Sequence, residues 1–394
     1  MDTDPLQIPS TATAPLVSTS RAGAVSKPAV LLLGKRPPPL TGPAVATGIL
    51  LASGLKETFR LFHFDTNTHD SLATYQSVSL RRSLKTAGLF GRFALSLVRL
   101  RPDVVIIPIS QTSSAFFKDS LYILMARVCT SAILVQLRGS ALKVWLDDAP
   151  FLVRAWFRFV MGRVSDAQVL GESLRYLFEP YFSADRIHVL PNGGDFGKVA
   201  RKPVAKKLRL LCISNLQPSK GILDLLEAFR QLCVQKPNAT ELSVVGSWFD
   251  VDTKAAAEAV VLQHKLPVQF HGVLDGADKF DQLSRADVFV FLPKKPEGHP
   301  WVIVEAMSCG LPIVATDQGA IRESVLHAEN GFVLKPSRPD LAAGCLVALT
   351  EDAVLRERMG ERSRELYESR FTAAHMADRY IRVIEGMVAR NHVR

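Results

Sequence analysis

Strand-like and helix-like segments alternate along this chain in two series with a break between them. That pattern constrains the fold more than any single residue does. Apolar, β-branched runs begin with AVLLLG at 29–34 and recur as RLFHF from 60, DVVIIPI from 103, SAILVQL from 131, AQVL from 167 and RIHVL from 186. Helical patterns lie between several of them, the first being AVATGILLASGL after the loop KRPPPLTGP. Strands separated by helices predict a parallel sheet covered on both faces. Over 191–207 the text becomes PNGGDFGKVARKPVAKK, where Gly, Pro and Lys dominate and hydrophobic periodicity disappears, as in a linker. A second series follows: KLRLLCIS (strand), GILDLLEAFRQLC (helix), ELSVVG (strand), TKAAAEAVVLQH (helix), PVQFHG and DVFVFLP (strands), WVIVEAMSC (helix) and PIVAT (strand). The expected architecture is α/β, with two Rossmann-like domains facing across a cleft. The first spans 28–195, the linker 196–207, the second 208–370, and an amphipathic helix closes the chain over 371–394.

Residues 1–27 are rich in Ser, Thr, Ala and Pro and lack both an apolar core and a basic start. They read as a disordered leader and not as a secretory signal. No uninterrupted apolar run reaches the roughly 18 residues of a membrane-spanning helix. FLVRAWFRFVMGR comes nearest, and Arg154, Arg158 and Arg163 break it. The five cysteines, at 129, 212, 233, 309 and 345, are odd in number and widely spaced. That excludes a disulfide framework or a zinc spacing and fits a reducing cytoplasm. The formal charge of +10 suggests an anionic partner: nucleotide phosphates, an acidic membrane surface or nucleic acid. Solubility alone is the other reading of that number. Nucleic acid is disfavoured because no recognition motif is present.

Ligands of open α/β sheets bind outside the carboxyl ends of the strands, so the loops that follow strands matter most. SNLQPSKGILDLLEAF is one such corner: Asn215, Pro218, Ser219 and Lys220 lie in the loop and Gly221 opens the helix. Helix N-termini attract phosphate through free N–H groups and the dipole, and Lys220 adds a cation there. The alternative is a solvated loop lysine. FLPKKPEGHPWVIVEAMSCGLPIVAT is a second corner. Glu297, Gly298 and His299 lie in its loop, Pro300 suits the first helical turn and Gly310 closes the helix. Glu305 then falls inside an apolar helix. A lone buried carboxylate costs several kcal/mol unless it is paired or hydrogen-bonded. Either two ribose hydroxyls or a buried ion pair with an arginine would meet that demand.

A glutamate, seven intervening residues and a second glutamate, followed by AMSCGLPIVAT, resembles the signature of retaining nucleotide-sugar glycosyltransferases with the GT-B fold, of the group 1 or family 4 type. KGILDLLEAF resembles that family's phosphate-binding corner, and RIHVLPNGGDF the segment that ends its first domain. QGAIRESV resembles its G-G-x-x-E turn, with Glu323 at the acidic position. FTAAHMADRYIRVIEGM resembles its closing helix, which crosses back onto the first domain. The resemblance implies that Glu305 holds the donor ribose, Lys220 holds the pyrophosphate and assists departure of the leaving group, and Glu297 faces the donor sugar. The backbone at Gly298, His299, Pro300 and Trp301 would line the sugar and phosphates. Gly42, in the first glycine-containing loop, would let backbone approach the donor. Asn192 and Arg138 would lie on the acceptor side of the cleft, Arg138 standing where the family often has histidine. Gly272, with His271 before it, would border the nucleotide, although a structural role fits His271 equally. Asn215 replaces a phosphate-contacting arginine of the family, and HP replaces its usual F-G after Glu297-Gly298.

The implied activity is transfer of a sugar from a nucleotide-sugar donor to an acceptor hydroxyl with retention, in polysaccharide or glycolipid synthesis. No metal or cofactor is required. The partners are the donor, a glycan or lipid-linked acceptor, and an anionic membrane surface touched from the cytoplasmic side. A nucleotide-sugar epimerase or hydrolase of the same fold, and a catalytically decayed sugar-nucleotide-binding protein, are the alternatives. The triplet Asp250-Val251-Asp252 matches the D-x-D metal device of a different fold, but Asp252 reads more simply as a helix N-cap. SLRRSLKTAGLFGRFALSLVRLR carries Arg81, Arg82, Lys85, Arg92, Arg99 and Arg101 without an acid, interleaved with Phe90, Phe93, Leu97 and Leu100. It is either an interfacial amphipathic stretch or an ordinary helix with its arginines in water.

Overall fold

The computed structural model describes residues 27–38, 41–67, 80–130, 132–196 and 207–392, and within the helix Leu80–Leu100 the side chains of residues 80–87 are not described. The expected leader and nearly all of the expected linker lie outside the described residues.

The first sheet holds β1 (Ala29–Gly34), β2 (Arg60–Asp65), β3 (Val104–Ile109), β4 (Ile133–Leu137), β5 (Asp166–Val169) and β6 (Ile187–Val189), in the order β2-β1-β3-β4-β5-β6. The second holds β7 (Leu208–Ile213), β8 (Thr240–Val245), β9 (Val268–Phe270), β10 (Val288–Phe291), β11 (Ile313–Thr316) and β12 (Gly331–Leu334), in the order β12-β11-β10-β7-β8-β9. All pairings are parallel. Strands such as VVIIPI and VFVF are apolar at nearly every position because helices cover both faces of their sheets.

Alternate residues of each strand enter different cores. Leu31 and Leu33 point into one apolar cluster of the first sheet, whereas Val30 and Leu32 point into the other. In β7, Leu210 and Cys212 face one side and Leu211 and Ile213 the other. The closing helix, Ala373–His392, contributes Met376, Ala377, Tyr380, Ile384, Met387 and Val388 to a cluster built mainly from the first sheet and its helices.

The structure corrects several local expectations. Glycine 42 is the first residue of the helix Gly42–Ala52, capped by Thr41, and does not lie in a loop. Pro300 is the N-cap of Trp301–Ser308, one residue outside the helix. Asp250, not Asp252, caps Val251–Gln263, its carboxylate accepting from the Thr253 amide at 2.6 Å. A helix that the sequence reading missed, Gly276–Arg285, lies between β9 and β10. In the helix Leu80–Leu100, Phe93 and Leu97 are buried, and Phe90 and Leu100 pack partly buried against the same core. Its interleaved apolar side chains therefore serve the first domain's interior.

Candidate functional site

In the second sheet, β7 and β10 are neighbours at the point where strand order reverses. A crevice opens there because the connections leave these strands in opposite directions. The two corners singled out in the sequence follow these two strands. Gly221 lets them meet. It sits at φ +76° in the left-handed region, and a Cβ there would lie 1.9 Å from the Leu292 carbonyl oxygen. The Lys294 amide also donates to the Ser219 carbonyl at 2.8 Å, joining the loops.

At that junction Lys220 Nζ donates to Glu297 Oε1 at 2.6 Å. Both side chains are mostly buried, at 22% and 17% exposure. Burial pushes the Glu297 carboxyl above its ordinary range, and the neighbouring Lys220 charge only partly opposes this. Two helices start beside this pair, Ile222–Gln235 after Gly221 and Trp301–Ser308 after Pro300. Neither has a side-chain cap, so their first N–H groups remain available to an anion.

Glu305 lies on the Trp301–Ser308 helix with 6% of its surface exposed. Its Oε1 accepts from Lys279 Nζ at 2.6 Å. Its Oε2 is buried and has no hydrogen-bond partner among the described residues. The expected ion pair is thus present on one oxygen, but with a lysine in place of the expected arginine, while the other oxygen keeps an unused acceptor. Sequence reasoning missed Lys279 together with its helix. The available signal was the amphipathic spacing of Phe280, Leu283 and Ser284 behind Asp275, on a segment too short to stand out.

The remaining predicted residues fall into three groups. Gly298, His299, Pro300 and Trp301 form the seam with the first domain. A Cβ on Gly298 would meet Leu170 Cδ1 at 2.8 Å and the Arg138 carbonyl at 2.9 Å. The His299 carbonyl accepts from Asn192 Nδ2 at 2.7 Å, and Trp301 Nε1 donates to the Gly42 carbonyl at 3.1 Å. The His299 imidazole itself is buried, bonded to Ser324 Oγ at 2.6 Å and packed on Phe371. Burial, with the Arg379 charge, pushes its pKa down to about 3, so it is neutral. Arg138 is also engaged: Nη1 donates to Asn192 Oδ1 at 3.1 Å and Nη2 to the Tyr380 hydroxyl at 3.2 Å.

Asn215 is exposed beyond β7, and Gly272, at φ +71°, follows β9 with its carbonyl accepting from the Gly246 amide at 2.7 Å. His271 bonds Ser243 at 3.2 Å, and burial lowers its pKa. Glu323 bridges the domains, accepting from the Ser173 amide at 2.9 Å and hydroxyl at 3.0 Å. Gly319 was missed as well. At φ +59° it lets its turn sit on Glu297, where a Cβ would fall 1.6 Å from the Glu297 carbonyl oxygen. Among the described residues, no three His, Cys, Asp or Glu side chains converge as a metal-holding group.

Comparison with known proteins bears on the fold and on family resemblance. Residues 198–366 match the family model described as glycosyl transferases group 1. A GDP-mannose-dependent monoacylated alpha-(1-6)-phosphatidylinositol monomannoside mannosyltransferase of Corynebacterium glutamicum is 30% identical over 183 residues, covering 45% of this chain and 46% of the relative. A lipopolysaccharide 1,2-N-acetylglucosaminetransferase of Salmonella typhimurium is 27% identical over 235 residues, covering 55% and 61%. The chain thus spans about half the length of the curated relatives it matches. Among solved structures, Anabaena Alr3699/HepE in complex with UDP superimposes with a TM-score of 0.71 at 18% identity, covering 91% of this chain and 100% of that one. Sucrose-phosphate synthase of Thermosynechococcus elongatus does so with 0.72 at 16%, covering 92% and 99%. The chain as a whole has the GT-B fold, and over residues 198–366 it is similar to the glycosyl transferases group 1.

Proposed function

We propose that this chain transfers a sugar from a nucleotide-sugar donor to an acceptor hydroxyl with retention of configuration, in the synthesis of a cell-surface polysaccharide or glycolipid. The observation that carries the reading is the pair of lysine–glutamate contacts at the switch point, one glutamate keeping a buried unpaired oxygen. An unsatisfied buried acceptor costs about 1–3 kcal/mol. A ribose hydroxyl donating to Glu305 Oε2 would relieve that cost, with Lys279 beside it. Lys220 would leave Glu297 for the donor's pyrophosphate, and Glu297, freed of the lysine, would turn to the sugar hydroxyls.

As the bond between the anomeric carbon and the phosphate oxygen breaks, negative charge grows on the leaving diphosphate. Lys220 and the two uncapped helix starts are positioned for that charge, so cations of the chain itself stand in for a metal. The acceptor oxygen forms the new bond on the same face, and its proton passes to the departing phosphate oxygen. Closure of the first domain over Gly298–Trp301 would exclude water. The Anabaena structure containing UDP and the glycolipid and lipopolysaccharide acceptors named for the relatives support donor and acceptor of these classes. No helix of the described residues is long and apolar enough to cross a membrane. We place the chain at the cytoplasmic membrane face, reached from solution.

A thermal-shift screen against nucleotides and nucleotide sugars identifies the donor, because binding to the native state raises Tm. NMR of the product formed from that donor then reads the anomeric configuration. An inverted product overturns retention. Rapid conversion of donor without acceptor identifies an epimerase or hydrolase instead.

A further inference from the structure

The first domain carries a basic feature at the strand ends opposite those whose loops face the cleft. At the N-terminal ends of β5 and β6, an open hollow of about 320 Å³ is lined by Arg127, Arg163, Arg186, Ser165, Ser183 and Tyr181, among others, and by no acid. Arg186 is shared with Asp166 at 3.6 Å and the exposed Asp185 at 3.2 Å. Arg163 lies over the Phe159 ring, 3.3 Å from its centroid, and donates to the Phe159 carbonyl at 2.7 Å.

The hollow opens beside the helix Phe151–Met161. This helix turns Phe157, Val160 and Met161 into the core and exposes Phe151 (72%), Leu152 (78%) and Phe159 (43%). Trp156 stacks on Phe159 at 5.3 Å and touches Phe117 at 5.9 Å, which extends the aromatic strip onto the neighbouring helix, Ser113–Cys129. Arg154 and Arg158 flank the strip, and the helix carries no acid. On the adjoining helices, Asp147 is paired with Lys143 at 2.8 Å and Asp119 with Lys118 at 3.2 Å, and Asp148 ends the helix Leu142–Asp148. Exposed aromatic side chains edged by unopposed arginines match the boundary of an anionic bilayer, where rings enter the acyl margin and guanidinium groups meet phosphates.

We infer that this face docks on anionic lipid and that the Arg127–Arg163–Arg186 hollow receives a lipid phosphate headgroup. The inference deepens the proposed placement at a membrane and is independent of the donor chemistry.

The test uses the full chain and vesicles of phosphatidylcholine with or without phosphatidylglycerol, read by co-sedimentation. The native chain binds the mixed vesicles and not the neutral ones. The pair Arg127→Gln with Arg163→Gln weakens that binding roughly tenfold or more. Phe151→Ser with Leu152→Ser weakens it as well, while a control of equal charge loss on the second domain, Lys254→Gln with Arg285→Gln, does not. Nucleotide-induced thermal shift, unchanged in all four proteins, reports the donor site separately. Equal binding by the arginine pair and the native chain, an equal loss in the control, or no vesicle binding by the native chain overturns the inference. So does an arginine-dependent thermal shift with glycerol phosphate in a chain that ignores vesicles, which would mark a soluble phosphate site instead. None of these results bears on the transferase reading.

Discussion

Lys220 is the residue on which the proposed chemistry depends most. Losing one preorganised donor at a developing anion costs about 100-fold to 1,000-fold in kcat. Lys220→Ala should fall in that range while the fold, read by Tm, persists; native turnover in that variant would remove Lys220 from the reaction. Glu305→Ala should act on affinity, weakening nucleotide binding in calorimetry about tenfold or more, since a hydrogen bond to a charged group contributes about 1.5–3 kcal/mol. Gly319→Ala separates the two. Its Cβ would displace the Glu297 backbone, 1.6 Å away, without touching Glu305. Turnover should drop while nucleotide affinity holds, and an equal loss of both would place Gly319 elsewhere in the mechanism. His299 makes a pH prediction. Its pKa is about 3 in the fold against 6.5 in a free chain. Below 6.5 the unfolded chain takes up a proton that the fold excludes, so this contribution is fully present above 6.5 and is lost as pH falls toward 3. His299→Phe should show a flatter decline of Tm over that window; parallel curves would show that the ring titrates freely. The glutamates and Lys220 were legible because their residue types stand out against apolar or loop surroundings. Gly319 and Lys279 were not, since what matters at each is a close approach across the sheet that only the folded backbone creates.

Elements behaved similarly. The buried strands were readable because a wholly or almost wholly apolar run of four to six residues has few other uses in a parallel sheet. The helix Gly276–Arg285 escaped because its few apolar positions sit in a polar decapeptide that tertiary packing stabilises. The helix Leu80–Leu100 shows the opposite limit. A helical period reveals that one side is apolar but not whether that side faces lipid or a neighbouring helix, and here Phe93 and Leu97 face the core. Besides its apolar packing, the closing helix takes two bonds on one hydroxyl: Tyr380 accepts from Gln136 of β4 at 2.8 Å and from Arg138 just beyond it at 3.2 Å. Tyr380→Phe leaves two largely buried donors unpaired, at a cost of about 1–3 kcal/mol. Tm should fall by several degrees, and Arg138, released, should no longer hold Asn192 against the His299 carbonyl. A rise in KM accompanying the lower Tm would report that relay; an unchanged Tm would show that water replaces the hydroxyl without cost.

Across the whole molecule, the two domains are not independent lengths of chain. Ser173 with Glu323, Asn192 with the His299 carbonyl, Ser140 with the Pro296 carbonyl and Trp301 with the Gly42 carbonyl cross the cleft at well-separated points. Ala320 of the second domain packs into the first domain's apolar cluster. Cutting the chain after Arg370 would uncover Leu50, Leu55, Ile106 and Leu134, which pack against the closing helix. Such a truncation should lose far more stability than any single substitution above, and a soluble, cooperatively melting product would contradict that. The order of synthesis carries a further consequence. A ribosome completes every strand of the first sheet long before it makes the helix that covers one side of it. During that interval the nascent first domain presents an apolar trough and must be shielded while the second domain emerges and folds. Stalling translation near residue 370 and again past residue 392 should show this as a protease-sensitive first domain that becomes resistant only in the longer chain.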